Sequence, residues 1–275
     1  MFQESLNVTL NENVAGGYFL MRLETPPRVE ESAIGREAKP GQFVQIRVHS
    51  GTAPLLRRPF TFYKARRRFV EILYKVVGEG TRLLSRCREG DALDAVGPLG
   101  NGFTVVPDAD EHVLVAGGSG IAAMYLLARM CAKSAQTTIL FGARNKDEVP
   151  FRRAVAEDFN GLGLPVQVWT DDGSLGSAGF VTLGLEKILN EAGGKRFAVY
   201  ASGPAAMLKR VAEISESFKA PALVSLEGQL ACGLGVCQGC VVKANSDSGP
   251  VYRRVCADGP VFNSAVFRGL WDGIH

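Results

Sequence analysis

The chain has 275 residues, enough for about two domains at the usual ~150 residues each. Its 46% hydrophobic and 21% charged residues exclude a disordered chain and require a sizeable packed core. A net charge of +3 with no basic stripe gives no ground for a nucleic-acid partner. No apolar run approaches the ~20 residues of a membrane span. The N-terminal MFQESLNVTL lacks the basic-then-apolar pattern of a secretory signal, so a cytoplasmic chain is expected.

Residues 1–106 read as short strands divided by Gly and Pro, among them Phe43–Val48 and Phe69–Val77. Many short strands with such punctuation predict a small antiparallel β-barrel. The basic run Arg66-Arg67-Arg68 falls between two strand-like segments and reads as a solvated hairpin turn. Thr81–Arg88 is expected to be a short helix capped by Thr81, with Leu83 and Leu84 facing inward.

Residues 107–222 change pattern. His112–Ala116 is a buried-strand run, Gly117-Gly118-Ser119-Gly120 follows, and Ile121–Lys133 reads as a helix. Further strands are expected at Thr137–Phe141, Pro165–Thr170 and Arg196–Ala201, with a last helix at Ala205–Phe218. Apolar strands alternating with helices predict an α/β domain with a parallel sheet covered on both faces. Residues 223–275 are rich in Gly and Cys and short of helical periodicity. A third piece of that size is hard to stabilise by an apolar core alone, and a bound cluster would supply the missing organisation.

Four of the six cysteines, Cys232, Cys237, Cys240 and Cys256, follow C-x4-C-x2-C-x15-C. Crowding of three ligands with one distant fourth is the pattern of plant-type 2Fe–2S proteins. A four-cysteine zinc site, the alternative, pairs two short knuckles instead. Gly233, Gly235 and Gly239 suit a loop that wraps closely and turns backbone N–H groups toward sulfur. Cys87 and Cys131 have no partner by spacing and are expected to be small buried residues.

Two further motifs point to nucleotide cofactors. In Arg57-Arg58-Pro59-Phe60-Thr61 a guanidinium can fork onto a pyrophosphate, and Thr61 can hydrogen-bond a flavin edge near N5. Gly80-Thr81 opens a helix about twenty residues later, an anion site for the same pyrophosphate. Gly118-Ser119-Gly120-Ile121-Ala122-Ala123 is a G-x-G-x-x-A between strand and helix, the context of a dinucleotide fingerprint. No acidic residue ends the next strand, and Arg144, Asp147 and Glu148 lie just beyond it, so NADH and NADPH both stay open. Ser202-Gly203-Pro204 joins a strand to a helix at the sheet edge where ligands bind in open α/β folds.

In this order, flavin barrel, nicotinamide domain and cysteine tail, the chain resembles the ferredoxin–NADP reductase superfamily. Within it, the chain is most similar to the electron-transfer subunits of class B dihydroorotate dehydrogenase. The matching stretches are Arg58-Pro59-Phe60-Thr61, Leu73-Tyr74-Lys75, Gly78-Glu79-Gly80-Thr81, Gly97–Phe103, Thr170-Asp171-Asp172-Gly173-Ser174 and Cys256–Phe262. The resemblance implies one FAD per subunit on Arg58, Pro59, Phe60, Thr61, Leu73, Tyr74, Lys75, Gly80 and Thr81. It implies one 2Fe–2S cluster on the four cysteines, and NAD(H) as substrate at Gly118, Gly120, Ser202, Gly203 and Pro204.

It also implies an FMN-containing catalytic partner that oxidises dihydroorotate in pyrimidine biosynthesis, in a heterotetramer of two subunits of each kind. No general acid or base is then needed on this chain. A nicotinamide exchanges a hydride and a cluster single electrons, so FAD belongs between them. The segment Cys232–Cys240 is expected near the subunit interface. Many relatives carry cysteine where this chain has Ser202, which bears on nicotinamide contact, and another cysteine shortly after Cys240, where this chain reads Val241-Val242-Lys243. Two kinds of alternative share these motifs: a related reductase subunit (a hydrogenase gamma subunit or the small subunit of an NADH-dependent ferredoxin–NADP reductase) and a non-enzymatic redox-sensing cluster protein.

Overall fold

Strand alternation in the first hundred residues closes a barrel. The computed structural model describes residues 1–49, 51, 53–150, 154–191 and 193–274. In chain order the barrel comprises β1 (Phe2–Ala15), β2 (Tyr18–Glu24), a short helix α1 (Ala33–Glu37), β3 (Phe43–Arg47), β4 (Arg58–Ala65), β5 (Phe69–Lys75), α2 (Glu79–Leu84) and β6 (Ala92–Leu99). All pairings are antiparallel, in the closed order β1-β2-β5-β4-β3-β6. Leu6, Val8, Val44, Ile46, Phe62, Val70 and Ile72 fill the interior. Their neighbours on the pleat face outward, because successive side chains of a strand point to opposite faces. Arg66, Arg67 and Arg68 form the exposed turn between β4 and β5, as expected.

The second unit is a seven-stranded sheet. Its elements are β7 (Glu111–Gly117), α3 (Met124–Cys131), β8 (Gln136–Ala143), α4 (Ala154–Asn160), β9 (Val166–Thr170), β10 (Ser177–Ala178), α5 (Val181–Asn190), β11 (Phe197–Ser202), α6 (Ala205–Ser217) and β12 (Ala222–Ser225). These strands pair in parallel in the order β10-β9-β8-β7-β11-β12. The last part of the chain adds a hairpin, β13 (Val241–Ser246) with β14 (Gly249–Arg254), and β15 (Val261–Asn263), which pairs antiparallel onto β12.

Alternation divides the sheet into two apolar layers. Leu114, Ala116, Ile139 and Phe141 point toward α3 and the barrel, in one continuous core with the barrel interior. Val113, Val115, Leu140 and Val199 point the other way, into a core with α5, α6 and the cysteine segment. Charges also tie the first two units. Tyr63 donates to Asp158 of α4 at 2.8 Å, and Lys64 reaches Asp158 at 2.6 Å. Lys64 also meets Glu71, which Arg22 holds at 2.6 Å.

Several elements differ from expectation. The cysteine segment does not rely on a cluster alone: Phe267, Trp271 and Ile274 enter the sheet's second core, and β15 extends the sheet itself. β12 runs to Ser225, past the expected division at 222, because its backbone stays paired with β11. The helix expected at Ile121–Lys133 begins as a tight 3-10 turn, Gly118–Ala123, before α3. Helix α2 starts at Glu79 rather than Thr81 and ends at Leu84 rather than Arg88. Thr81 sits inside its first turn, where its hydroxyl accepts the N–H groups of Val77 and Gly78, two donors that precede the helix. Leu84 is buried and Leu83 half-buried. Cys131 is buried, whereas Cys87 is only half-buried.

Candidate functional site

Every residue assigned to FAD faces one cleft of about 440 Å³. Arg58, Pro59, Phe60 and Thr61 come from β4, Leu73, Tyr74 and Lys75 from β5, and Gly80 and Thr81 from α2. The two halves of the expected pyrophosphate site meet. A Cβ on Gly80 would come within 2.7 Å of Arg58 Nε, so glycine here lets the guanidinium lie close against α2. Arg58 also donates to the carbonyl of Leu56. Its neighbour Arg57 turns away to pair with Asp94. The Tyr74 hydroxyl donates to Asn11 at 3.0 Å, and its ring stacks on Phe19 and meets the edge of Phe60. Lys75 reaches across to Glu148, just beyond β8, at 3.3 Å.

The loops expected to hold the nicotinamide form the facing wall. Gly120 and Ser202 line the same cleft, while Gly118, Gly203 and Pro204 adjoin them in sequence without lining it. A Cβ on Gly120 would overlap the carbonyl oxygen of Ser202, so the loop after β7 is pressed onto the end of β11. Gly118 adopts φ +54°, the left-handed region that favours glycine. Arg144 pairs with Glu148 and is otherwise largely exposed.

Sequence reasoning missed the third wall. Ser225, Leu226, Glu227, Gly228, Leu230, Val255 and Pro260 from the last part of the chain complete the cleft. Glu227 accepts a hydrogen bond from Ser119 at 3.4 Å. Glu227 keeps an exposed surface, yet the protein atoms around it disfavour the charged form and raise its carboxyl above the ordinary value, and the Ser119 hydrogen bond opposes this. An acidic residue just past the C-terminal end of a parallel strand is the available sequence signal for Glu227.

The four cysteines lie behind that wall as two pairs. Cys240 and Cys256 are buried, with their sulfurs 3.2 Å apart. Cys232 and Cys237 lie on the outer loop, half-buried and exposed, joined by the Cys237 N–H donating to Cys232 Sγ at 3.4 Å. Leu234 N–H also donates to Cys232, Gly239 N–H to Cys237, and Gly235 N–H to Cys256 at 3.1 Å. Burial opposes ionisation of Cys232, but the N–H groups of Cys237 and Leu234 outweigh it and bring the thiol down to about 6. Burial and the adjacent Cys240 push Cys256 up to about 12.

Gly233 and Gly235 have φ of +70° and +79°. A Cβ on Gly235 would come within 2.8 Å of Ala257. Gly239 shows neither constraint, so two of the three expected glycines are demanded by geometry. Among the described residues no three His, Cys, Asp or Glu side chains converge on one ion-sized position. Two cysteine pairs on N–H-rich backbone fit a binuclear cluster, which takes two ligands per iron.

Comparison with known proteins points the same way. Residues 227–266 match the iron–sulfur cluster binding domain of dihydroorotate dehydrogenase B, and residues 114–213 match an oxidoreductase NAD-binding domain. The dihydroorotate dehydrogenase B (NAD(+)) electron transfer subunit of Caldanaerobacter subterraneus subsp. tengcongensis is 40% identical over 83% of this chain and 86% of its own. The protein of the same name from Desulforamulus reducens is 34% identical over 94% of this chain and 95% of its own. Among solved structures, an NADH-dependent reduced ferredoxin-NADP oxidoreductase superposes with TM-score 0.81 at 30% identity, covering 98% of this chain and 92% of that one. A ferredoxin reductase of carbazole 1,9a-dioxygenase shares the fold at 19% identity and TM-score 0.64, over 80% of this chain and 67% of that one.

Proposed function

Because the chain belongs to the family of electron transfer subunits of NAD-dependent dihydroorotate dehydrogenase B, we propose that it carries electrons from dihydroorotate, oxidised on an FMN-containing partner subunit, to NAD+. The observation that carries this reading is the shared cleft: flavin residues of the barrel, nicotinamide loops of the sheet and residues beside the cysteines line one space. When bound there, FAD exchanges two electrons with a nicotinamide and single electrons with an iron–sulfur cluster.

The division of labour among side chains follows. Arg58, lying on Gly80, holds the FAD pyrophosphate as a planar fork. Tyr74, fixed through Asn11, and Leu73 form the flavin's barrel-side wall, with Pro59 and Phe60 beside them. Thr61 offers its hydroxyl at the flavin edge. Lys75, tied to Glu148, braces the wall where barrel and sheet meet. Ser202, flanked by Gly203 and Pro204, faces the nicotinamide, with Gly118 and Gly120 forming the tight turn after β7 that presses onto Ser202. Cys232, Cys237, Cys240 and Cys256 hold the 2Fe–2S cluster. Three domains correspond to these tasks: residues 1–106, 107–222 and 223–275, with β12 shared between the last two.

The partner docks over the outer loop. Leu234 and Val236 leave large apolar side chains in solvent beside exposed Cys237, a feature that suits an interface. The assembly holds two copies of each subunit and works in the cytoplasm. The test is co-expression with the catalytic subunit. The purified complex is expected to show flavin and 2Fe–2S absorption. Cys237→Ser is expected to bleach the cluster bands and stop NAD-linked orotate formation, and retained turnover would sink the proposal. The likeness to the NADH-dependent ferredoxin-NADP oxidoreductase supports a second reading, a reductase subunit serving a different partner. Identification of the subunit that co-purifies from native cells separates the two.

A further inference from the structure

We propose that the side-chain amide of Gln45 donates a hydrogen bond to a sulfur of the iron–sulfur cluster and holds its reduction potential up. The inference rests on the reading that Cys232, Cys237, Cys240 and Cys256 hold a 2Fe–2S cluster.

Gln45 is the middle residue of β3, paired with Pro59 of β4 on one side and Val96 of β6 on the other. Its strand neighbours Val44 and Ile46 point into the barrel core. Alternation therefore sends Gln45 outward, on the same face as Phe43, which lines the cleft. That face is covered by the cysteine segment, and Gln45 is only 1% exposed. Among the described residues neither its Nε2 nor its Oε1 has a hydrogen-bond partner. A buried amide without partners is costly, and an apolar side chain would fill the position without that cost.

The contact surface identifies what the amide serves. A Cβ on Gly233 would overlap Gln45 Nε2 and come within 2.9 Å of its Cγ. The left-handed turn at Gly233 thus presses the backbone beside Cys232 onto this amide. The same stretch turns the Leu234 N–H toward Cys232 Sγ. Gln45 is placed to add a side-chain donor to a sulfur environment otherwise supplied by backbone N–H groups. It is held on a strand hydrogen-bonded at both edges, and burial limits the amide's freedom. Reduction adds negative charge to the cluster, and an N–H donor stabilises the more negative form more. The reduction potential rises accordingly.

The test is a redox titration of the full chain with its cofactors, followed by electron paramagnetic resonance of the reduced cluster and by flavin absorption. Gln45→Leu is expected to shift the one-electron equilibrium of the cluster about tenfold, ~59 mV more negative, with the flavin unmoved. In deuterated buffer, electron–nuclear double resonance is expected to lose one exchangeable deuteron coupling. Gln45→Met, unbranched and close in length but without a donor, is expected to shift the potential in the same direction, which covers the case where the leucine variant loses its cluster. Unchanged potential and coupling in a cluster-bearing variant would overturn the proposal, as would a shift confined to the flavin. A wild-type chain without a 2Fe–2S signal would instead overturn the cysteine reading on which it rests.

Discussion

The two cysteine pairs differ in what holds them. Cys240 and Cys256 are embedded in the core that α5, α6 and the sheet share with Val255, Phe267 and Trp271. Cys232 and Cys237 sit on an irregular loop whose order comes from glycine conformations and N–H groups aimed at sulfur. The inner pair is placed by folding of the body. The outer pair is placed by a backbone that has little apolar burial of its own. A cluster bridging the two therefore does different work at each end: it adds little organisation inside and most of the organisation outside.

The largest effect that can break this contrast comes from serine at one member of each pair. Cys256→Ser and Cys237→Ser should both abolish the cluster absorption. Their cluster-free forms should differ. A hydroxyl at the buried position costs about 1–3 kcal/mol if it finds no partner, while the exposed position changes stability by less than ~0.5 kcal/mol. Urea denaturation of the two apo variants measures the difference, and equal midpoints would show that the inner pair is no better anchored than the outer. A smaller effect is expected at the facing wall. Gly120→Ala forces a methyl group into the Ser202 carbonyl and should cost ~1–3 kcal/mol of overpacking. It should weaken NADH binding at least tenfold while leaving the 2Fe–2S spectrum intact, as titration of flavin reduction would show.

Much of this architecture was legible in the chain. Period-two patterns with Gly and Pro stops marked the barrel, apolar strands alternating with helices marked the sheet, and C-x4-C-x2-C-x15-C marked the cysteine set. The residues proposed for the flavin come together in one cleft, as the local chemistry of R-P-x-T and the Gly-Thr turn led one to expect. What escaped the sequence depended on contact between units. Gln45 is one polar residue in an apolar strand, and nothing local distinguishes an outward solvated amide from one covered by Gly233. Glu227 joins the cleft only once β12 and the loop at Ser119 come together. Thr81 misled for a different reason. A hydroxyl near a helix start is the usual cap, but here it accepts donors from before the helix and shifts the start to Glu79.

The smallest expected effect isolates the body from the cysteine loop. His112 on β7 is buried, its ring meeting Ser134 at 3.0 Å and the Tyr200 hydroxyl at 3.4 Å. Burial lowers its pKa below the ordinary histidine value, so the folded chain favours the neutral ring. Above the unfolded value of about 6.5 both states are neutral and the group contributes no slope. As pH falls below it, the unfolded chain takes up the proton first, and stability declines until the folded ring also titrates. His112 lies in the sheet, so the slope should persist in the Cys237→Ser apo variant once Cys232, whose lowered thiol also titrates in this range, is replaced by serine too, and it should shrink in His112→Gln. Urea midpoints at pH 7.5 and 5.5 for these variants measure it. A slope that disappears with Cys237→Ser would place the acid sensitivity in the cysteine loop and reverse the assignment of the two regions.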